Sequence, residues 1–535
     1  MSLRRLVALC SALVPALLGA QASPPPDLVL TGGRIFTADS TRPWAEAVAI
    51  RGERIVAVGT TAEVRRMAGR ATREIALGGR VVIPGINDTH THLGVAFDAS
   101  FSTADTSLAG PALPEVLDSV RAVAARTPPG TWIRGAIGTR MLGDSTARRA
   151  ALDAAAPRHP VLLRAPWGHG MLVNSAALRA AGIADRAADP LGGTYERDAS
   201  GRLTGSLGEY AGWAVFRRAN ASLPDADVVR ALRREAEQRL GWGVTSVQDM
   251  ADAFAPAQTL RVLRAARLPQ RVRVVRWPMA GAGGRHVAEW RAVNATPAPR
   301  VRVSGVKYVL DGTPIEQGAL NRTPYPGRPG WYGRLNFPLD TVRAILRDAL
   351  RGGDQTMLHV VGDSSLALVL SEMERMAPDS EWRRRRLRLE HASRLGGDFV
   401  PRAARLGIVV AQPRTSASLR SWRAAGIVTG YGSDGLPNPF VDMLVAVTAP
   451  ARPGEAVSRE EAVTILTRGS AYAEGMEREK GTLAPGMLAD LAVLSQDVFT
   501  VPPAALPATT SVLTVVGGRI VHDALARAAT GAPVP

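Results

Sequence analysis

The chain has 535 residues, of which 46% are hydrophobic and 21% charged. That balance belongs to a globular protein able to build a large core or several folded units, and the absence of low-complexity tracts and short repeats excludes solenoids and propellers. The formal net charge of +17 is almost all arginine and is spread along the chain. Its one dense run, "WRRRRLRLEH" at 382–391, lacks interleaved aromatics; it reads as a solvated helix end leading into a strand and argues against a nucleic-acid partner.

In chain order, "MSLRRLVALCSALVPALLGAQASPPPD" comes first. Arg4 and Arg5, a short apolar stretch and Ala20-Gln21-Ala22 predict a secretory signal peptide over residues 1–22, with cleavage after Ala22. The expected location is therefore exported, periplasmic or extracellular, with twin-arginine export also permitted by the paired arginines. The apolar core is short for a membrane span, which needs ~20 residues, so no stable membrane insertion is expected after cleavage. Cys10, the sole cysteine, leaves with the signal. Leu9 is too large for a lipoprotein signal at that position.

Residues 23–83 alternate short β-like runs with glycine-rich turns, as in "AEAVAIRGERIVAVGT". The texture returns over 476–535 in "ADLAVLSQD" and "TSVLTVVGGRIVHD". Two such halves predict one small β-sandwich closed by both chain ends. Between them, over 84–475, apolar strand-like runs alternate with amphipathic helical stretches. That pattern predicts an α/β fold, a (β/α)8 TIM-like barrel. Residues 96–240 are too long for one connection and predict an inserted subdomain after the first barrel strand.

The chemistry sits at strand ends. His90 and His92 follow "VVIPGINDT" two residues apart, so both imidazoles face one side of a strand and can converge on one metal ion. Alone, such a pair is a weak signal and reads first as polar residues at a strand end. Recurrence supports the first reading. His359 ends "QTMLHVV", His391 ends "LRLEH" and Asp434 ends "GIVTGYGSD". In a barrel these ends share one rim, where active sites form. Lys307 is one of only two lysines in the chain, the other being Lys480, and it lies on the apolar run "GVKYVL". A primary amine reacts with carbon dioxide to give a carbamate that can bridge two cations, whereas a guanidinium does not do so readily. The alternative is a buried lysine paired with Asp311 or Glu316. Softer candidates are Asp363, as a partner fixing His359, and Gln412, facing the pocket.

"VVIPGINDTHTHL" resembles the metal-binding signature of the amidohydrolase superfamily, and "EREKGTLAPGMLADLAVLSQD" is similar to its closing segment. "HPVLLRAPWGHGMLVNSAAL", "GGTYERDASGRLTGSLGE", "VKYVLDGTP", "LHVVGD" and "RLEHAS" resemble the amidohydrolase-3 branch, which includes N-substituted formamide deformylases. The resemblance implies two divalent metal ions. His90 and His92 would hold the more buried ion with Asp434 beside it, His359 and His391 the second, and Lys307 as its carbamate would bridge them. It further implies attack by a metal-bridging hydroxide, with Asp434 shuttling the proton to the leaving nitrogen. Zinc is the default for histidine and carboxylate ligands; manganese, iron and cobalt suit similar sites. His169, within a branch block, either contacts substrate or is a structural loop histidine.

Thr415 and Gly435 stand where the branch often has histidine and tryptophan. The expected metal cage is therefore intact while the substrate wall differs. The expected substrate is a small molecule with an amide-like C–N bond: N-acyl, formamide or cyclic amide. A deaminase or an ester or carbamate hydrolase on the same scaffold is the alternative. A non-catalytic binding protein would have lost ligands, and none is lost. Homo-oligomerisation stays open.

Overall fold

Eight short β-branched or apolar runs become the parallel strands of one barrel. The computed structural model describes residues 24–526 apart from 95–98, 104, 106, 282–283, 286–287, 291–292, 413–417 and 436–437. The signal-peptide expectation for residues 1–22 lies outside the described residues. The strands are β1 (Ile86–Thr91), β2 (Val244–Met250), β3 (Arg271–Arg276), β4 (Val301–Val309), β5 (Thr356–Val360), β6 (Arg388–His391), β7 (Val409–Gln412) and β8 (Val428–Tyr431). Each pairs in parallel with the next in sequence order. The seam between β8 and β1 is tied at the rim: the Asp434 amide donates to the His90 carbonyl at 2.8 Å, Ser433 Oγ donates to Asp88 at 2.5 Å, and Thr89 Oγ1 donates to the Tyr431 carbonyl. Sequential parallel pairing with helical crossovers is the (β/α)8 arrangement.

Both chain ends build the flanking sheets. In a six-stranded sheet, Leu491–Leu494 runs antiparallel to Val81–Pro84, with Ala492 opposite Ile83, and Ser511–Val516 and Arg519–Asp523 extend that side. A four-stranded sheet contributes Leu30, Val48 and Ile50 to a common core with Val82, Leu491, Val493 and Val515. The alternating apolar residues face one another between the sheets, as period-2 patterning requires. A separate five-stranded sheet, from Ile133–Ala136 to Leu203–Glu209, occurs between β1 and β2. No helix of the described residues is long and apolar enough to cross a membrane.

The arginine run at 382–391 divides as its position dictates. Arg383 and Arg384 are exposed at the end of helix Asp379–Arg385. Arg388, already in β6, is fully buried inside the barrel. It donates to Glu390 Oε1 at 2.5 Å, Gln248 Oε1 at 2.7 Å and the Thr89 carbonyl at 3.0 Å. Such a full set of acceptors offsets much of the cost of burying a guanidinium completely.

Candidate metal centre

The outward-running strand ends meet at one mouth. His90, on β1, is fully buried, and His92 lies just past the strand end. Asp434 Oδ1 stands 3.5 Å from His90 Nε2 and 3.4 Å from His92 Nε2. Edges of that length match a tetrahedral cation with ligand bonds of ~2.1 Å. Lys307 Nζ on β4 lies 3.0 Å from His90 Nε2, and its Cα pairs with Met357 of β5, not with an acid. The His359 and His391 rings are 4.4 Å apart, and His391 is 5.1 Å from His90. His359 Nε2 is buried without a hydrogen-bond partner among the described residues. The His90, His92 and Asp434 donors thus fit a metal ion, and an unpartnered imidazole nitrogen such as His359 Nε2 is of the kind that ligates one.

Backbone geometry explains how neighbours on one strand reach the same place. Arg388 and Glu390 share the inner face of β6, two residues apart. His391 would point away, but left-handed φ values of 69° at His391 and 48° at Ala392 turn the chain at the strand end. Asp434 also sits at a left-handed φ of 49°. Such conformations cost about 1–3 kcal/mol each and persist where the surroundings enforce them. Gly432 lets β8 lie against β1, since a Cβ there would stand 2.7 Å from His90 Cβ. We expect Gly432→Ala to destabilise the protein by about 1–3 kcal/mol, the usual overpacking cost, and to displace His90. Denaturant unfolding and metal content measure the two effects.

A second layer of side chains orients these groups. The Glu390 carboxylate accepts from His90 Nδ1 at 2.5 Å, leaving Nε2 to face the mouth. Burial alone would raise the Glu390 carboxyl, but Arg388 and His90 hold it well below the usual range. Asp252 accepts from His92 Nδ1 at 2.9 Å. Arg217, from helix Tyr210–Asn220, donates to the carbonyls of Ala251, Asp252 and Trp277 and so fixes the loops after β2 and β3. Burial lowers the Lys307 ammonium to about 8. Burial also drives His359 and His391 well below the ordinary imidazole value. Neutral rings are the form that ligates metals.

His92 goes the other way. Burial opposes its charge, but Asp252 and Asp434 raise it to about 9. In metal-free protein the protonated ring therefore adds stability that is complete below its unfolded value of 6.5 and is lost as pH rises through about 9. A cation must displace that proton. Zinc affinity of metal-free protein is thus expected to climb about tenfold per pH unit from 7 towards 9 and then flatten. Competition titration against a chelator reads this directly.

The roof comes from the five-stranded sheet. Strand Val161–Arg164 turns back into Met171–Val173 through a tight turn, with Gly168 at a φ of 89°. This hairpin carries Arg164, Trp167 and His169 to the mouth, where Trp213 and Trp277 complete the pocket. His169 Nδ1 is 3.0 Å from Glu209 Oε2, and its ring is 4.9 Å from that of His359. Trp167 Nε1 donates to Glu316 at 2.9 Å.

The structure thus brings together His90, His92, Lys307, His359, His391, Asp434 and His169. Asp363 is a correction: it does not meet His359. It opens helix Asp363–Met376, and its Oδ1 accepts from the Arg322 amide at 2.8 Å. Asp311 instead braces the end of β5, accepting from the Val361 and Gly362 amides and from Ser365 Oγ. Lys307 therefore has neither Asp311 nor Glu316 as a partner. Gln412 pairs through its backbone with Tyr431; its side chain and Thr415 lie outside the described residues. Glu390, Asp252, Glu209 and Arg164 were not singled out from sequence as site residues. Asp252 and Glu390 do close apolar runs, the same signal that marks the histidines.

Comparison with known proteins gives the family. The amidohydrolase family model matches residues 73–522, and a bacterial imidazolonepropionase-like composite domain matches 47–70. The chain belongs to the amidohydrolase family. It is a hydrolase acting on carbon–nitrogen bonds other than peptide bonds. It is 28% identical to the N-substituted formamide deformylase of Arthrobacter pascens over 514 residues, covering 88% of this chain and 94% of that one. It is also 28% identical to Protein LONG AFTER FAR-RED 3 of Arabidopsis thaliana over 521 residues, covering 88% and 87%. Among solved structures, an uncharacterized metal-dependent hydrolase from Pyrococcus furiosus shares the fold, with a TM-score of 0.67, 23% identity and coverage of 88% and 100%.

Proposed function

We propose that the protein is an exported, binuclear metal-dependent amidohydrolase that cleaves an amide-like C–N bond of a small molecule. The observation that carries this is the approach of Asp434 Oδ1 to the Nε2 atoms of both His90 and His92, with Lys307 Nζ against the same His90 atom. His90, His92 and Asp434 would hold one ion and His359 and His391 the other, with Lys307, as its carbamate, the residue that would link them. When bound, such a pair supplies an activated water near neutral pH and polarises a carbonyl. Burial and neighbouring charges keep His359 and His391 neutral, ready to bind. Glu390 and Asp252 orient the His90 and His92 rings. Asp434, a third exposed at the mouth, receives a proton and returns it to the departing nitrogen. His169, held by Glu209, lies where a substrate oxygen or nitrogen can meet it. The tryptophans exclude bulk water from the same space.

A formamide substrate has support from the relative whose name states that activity. N-acyl amino acids, cyclic amides and carbamates are consistent with the altered rim at Gly435. The test combines elemental analysis, intact mass of the peptide carrying Lys307, and a panel of formamides, N-acyl amino acids, cyclic amides, aminated heterocycles and esters. Two metal equivalents, a carbon dioxide adduct and amide turnover are expected. One equivalent with turnover only of aminated heterocycles or esters would replace this reading with the deaminase or esterase alternative. Export is tested by the N-terminus of protein recovered outside the cytoplasm, expected at Ser23.

A further inference from the structure

Resting on the reading of this site as an amide hydrolase, we propose that Arg164 anchors a carboxylate of the substrate, so that the natural substrate is an amide bearing a free acid group. Arg164 is the last residue of the strand Val161–Arg164 and lines the same cavity as His90, Lys307 and Asp434. Its guanidinium carbon lies 4.7 Å from the centre of the Phe216 ring. Its Nε is buried without a hydrogen-bond partner among the described residues, and Asp252 and Asp434 act on the guanidinium through space rather than by a hydrogen bond. The buried guanidiniums of Arg217 and Arg388 are answered by the protein, Arg217 by three carbonyls and Glu289, and Arg388 by Glu390, Gln248 and a carbonyl, whereas Arg164 is only partly buried.

A partly shielded cation without an ionic partner gains from a ligand anion. Stacking on Phe216 uses the face of the guanidinium and leaves its N–H donors in the plane, where a planar carboxylate accepts two of them. Gly168, on the turn above, leaves that space clear. A Cβ there would stand 3.1 Å from Arg164 Nη2. The walls beside Arg164 are Trp167, Trp213 and Trp277, which suit an apolar or aromatic frame between the acid and the scissile amide. Lysine would not reproduce this, since its point charge lacks the two-pronged geometry.

The experiment is an equilibrium titration of the full-length protein with N-acetylphenylalanine, both enantiomers, and with N-acetylphenylalaninamide. Quenching of the cavity tryptophans is the readout. The acid is expected to bind about tenfold or more tighter than the amide, as a charge-assisted pair in a shielded pocket allows. In Arg164→Gln that preference should fall to less than about threefold, and Arg164→Lys should restore only part of it. Equal binding of acid and amide by the wild type, or a preference that survives Arg164→Gln, overturns the proposal. Hydrolysis of acetanilide by zinc-loaded protein separates the two levels. Turnover of this neutral amide without any acid preference removes Arg164 and leaves the hydrolase. An Arg164-dependent preference with no amide turnover keeps the anchor and removes the amide reading.

Discussion

Lys307→Arg is expected to retain the fold and the charge of the unmodified lysine but lose at least one metal equivalent and about 10³-fold or more in turnover, a barrier increase of about 4 kcal/mol. The reasoning starts from chemistry at one atom. Only an uncharged amine adds carbon dioxide, and burial brings the Lys307 ammonium down to about 8, so a usable fraction is neutral near physiological pH. A guanidinium stays protonated there. It is also bulkier, and Lys307 Nζ already lies 3.0 Å from His90 Nε2 and 5.3 Å from the centre of the Trp277 ring. Metal content by elemental analysis and turnover on the best amide of the panel measure the effect. An arginine variant with two metals and full activity would remove the carbamate from the mechanism.

Asp434→Asn is expected to lower turnover by about 10²–10⁴-fold, the range for losing a positioned acid–base group. Asparagine tolerates the left-handed backbone that Asp434 adopts, and the amide donated to the His90 carbonyl does not depend on the side chain. Folding should therefore survive. The shape of the loss is the sharper test. Alkyl amides, whose nitrogen leaves only when protonated, should suffer most, and p-nitroanilides least. A loss equal across leaving groups would assign Asp434 a ligand role alone.

Much of the centre was legible because of where its residues stand. His90, His92, His359, His391 and Asp434 each close a short apolar run, and parallel strands bring such ends to one rim. Lys307 stood out because arginine fills nearly every other cationic position; the second lysine, Lys480, is also buried, 2.7 Å from Glu474 and 2.8 Å from Ser246. Asp363 shows the limit of nearness along the chain. It follows His359 closely, yet the start of its helix aims it at the Arg322 amide. Glu390 and Asp252 act through rings 300 and 160 positions away in sequence, a pairing that no local pattern encodes. Arg164 and Trp167 belong to a hairpin from a different sheet, and only its docking over the mouth gives them meaning.

The antiparallel pairing of Leu491–Leu494 with Val81–Pro84 has a consequence for biosynthesis. The strand bearing His90 begins two residues after Pro84. During translation, one edge of Val81–Pro84 therefore waits unpaired while some four hundred residues are made. Newly made protein should stay aggregation-prone and poor at capturing cations until the ribosome releases its final strands.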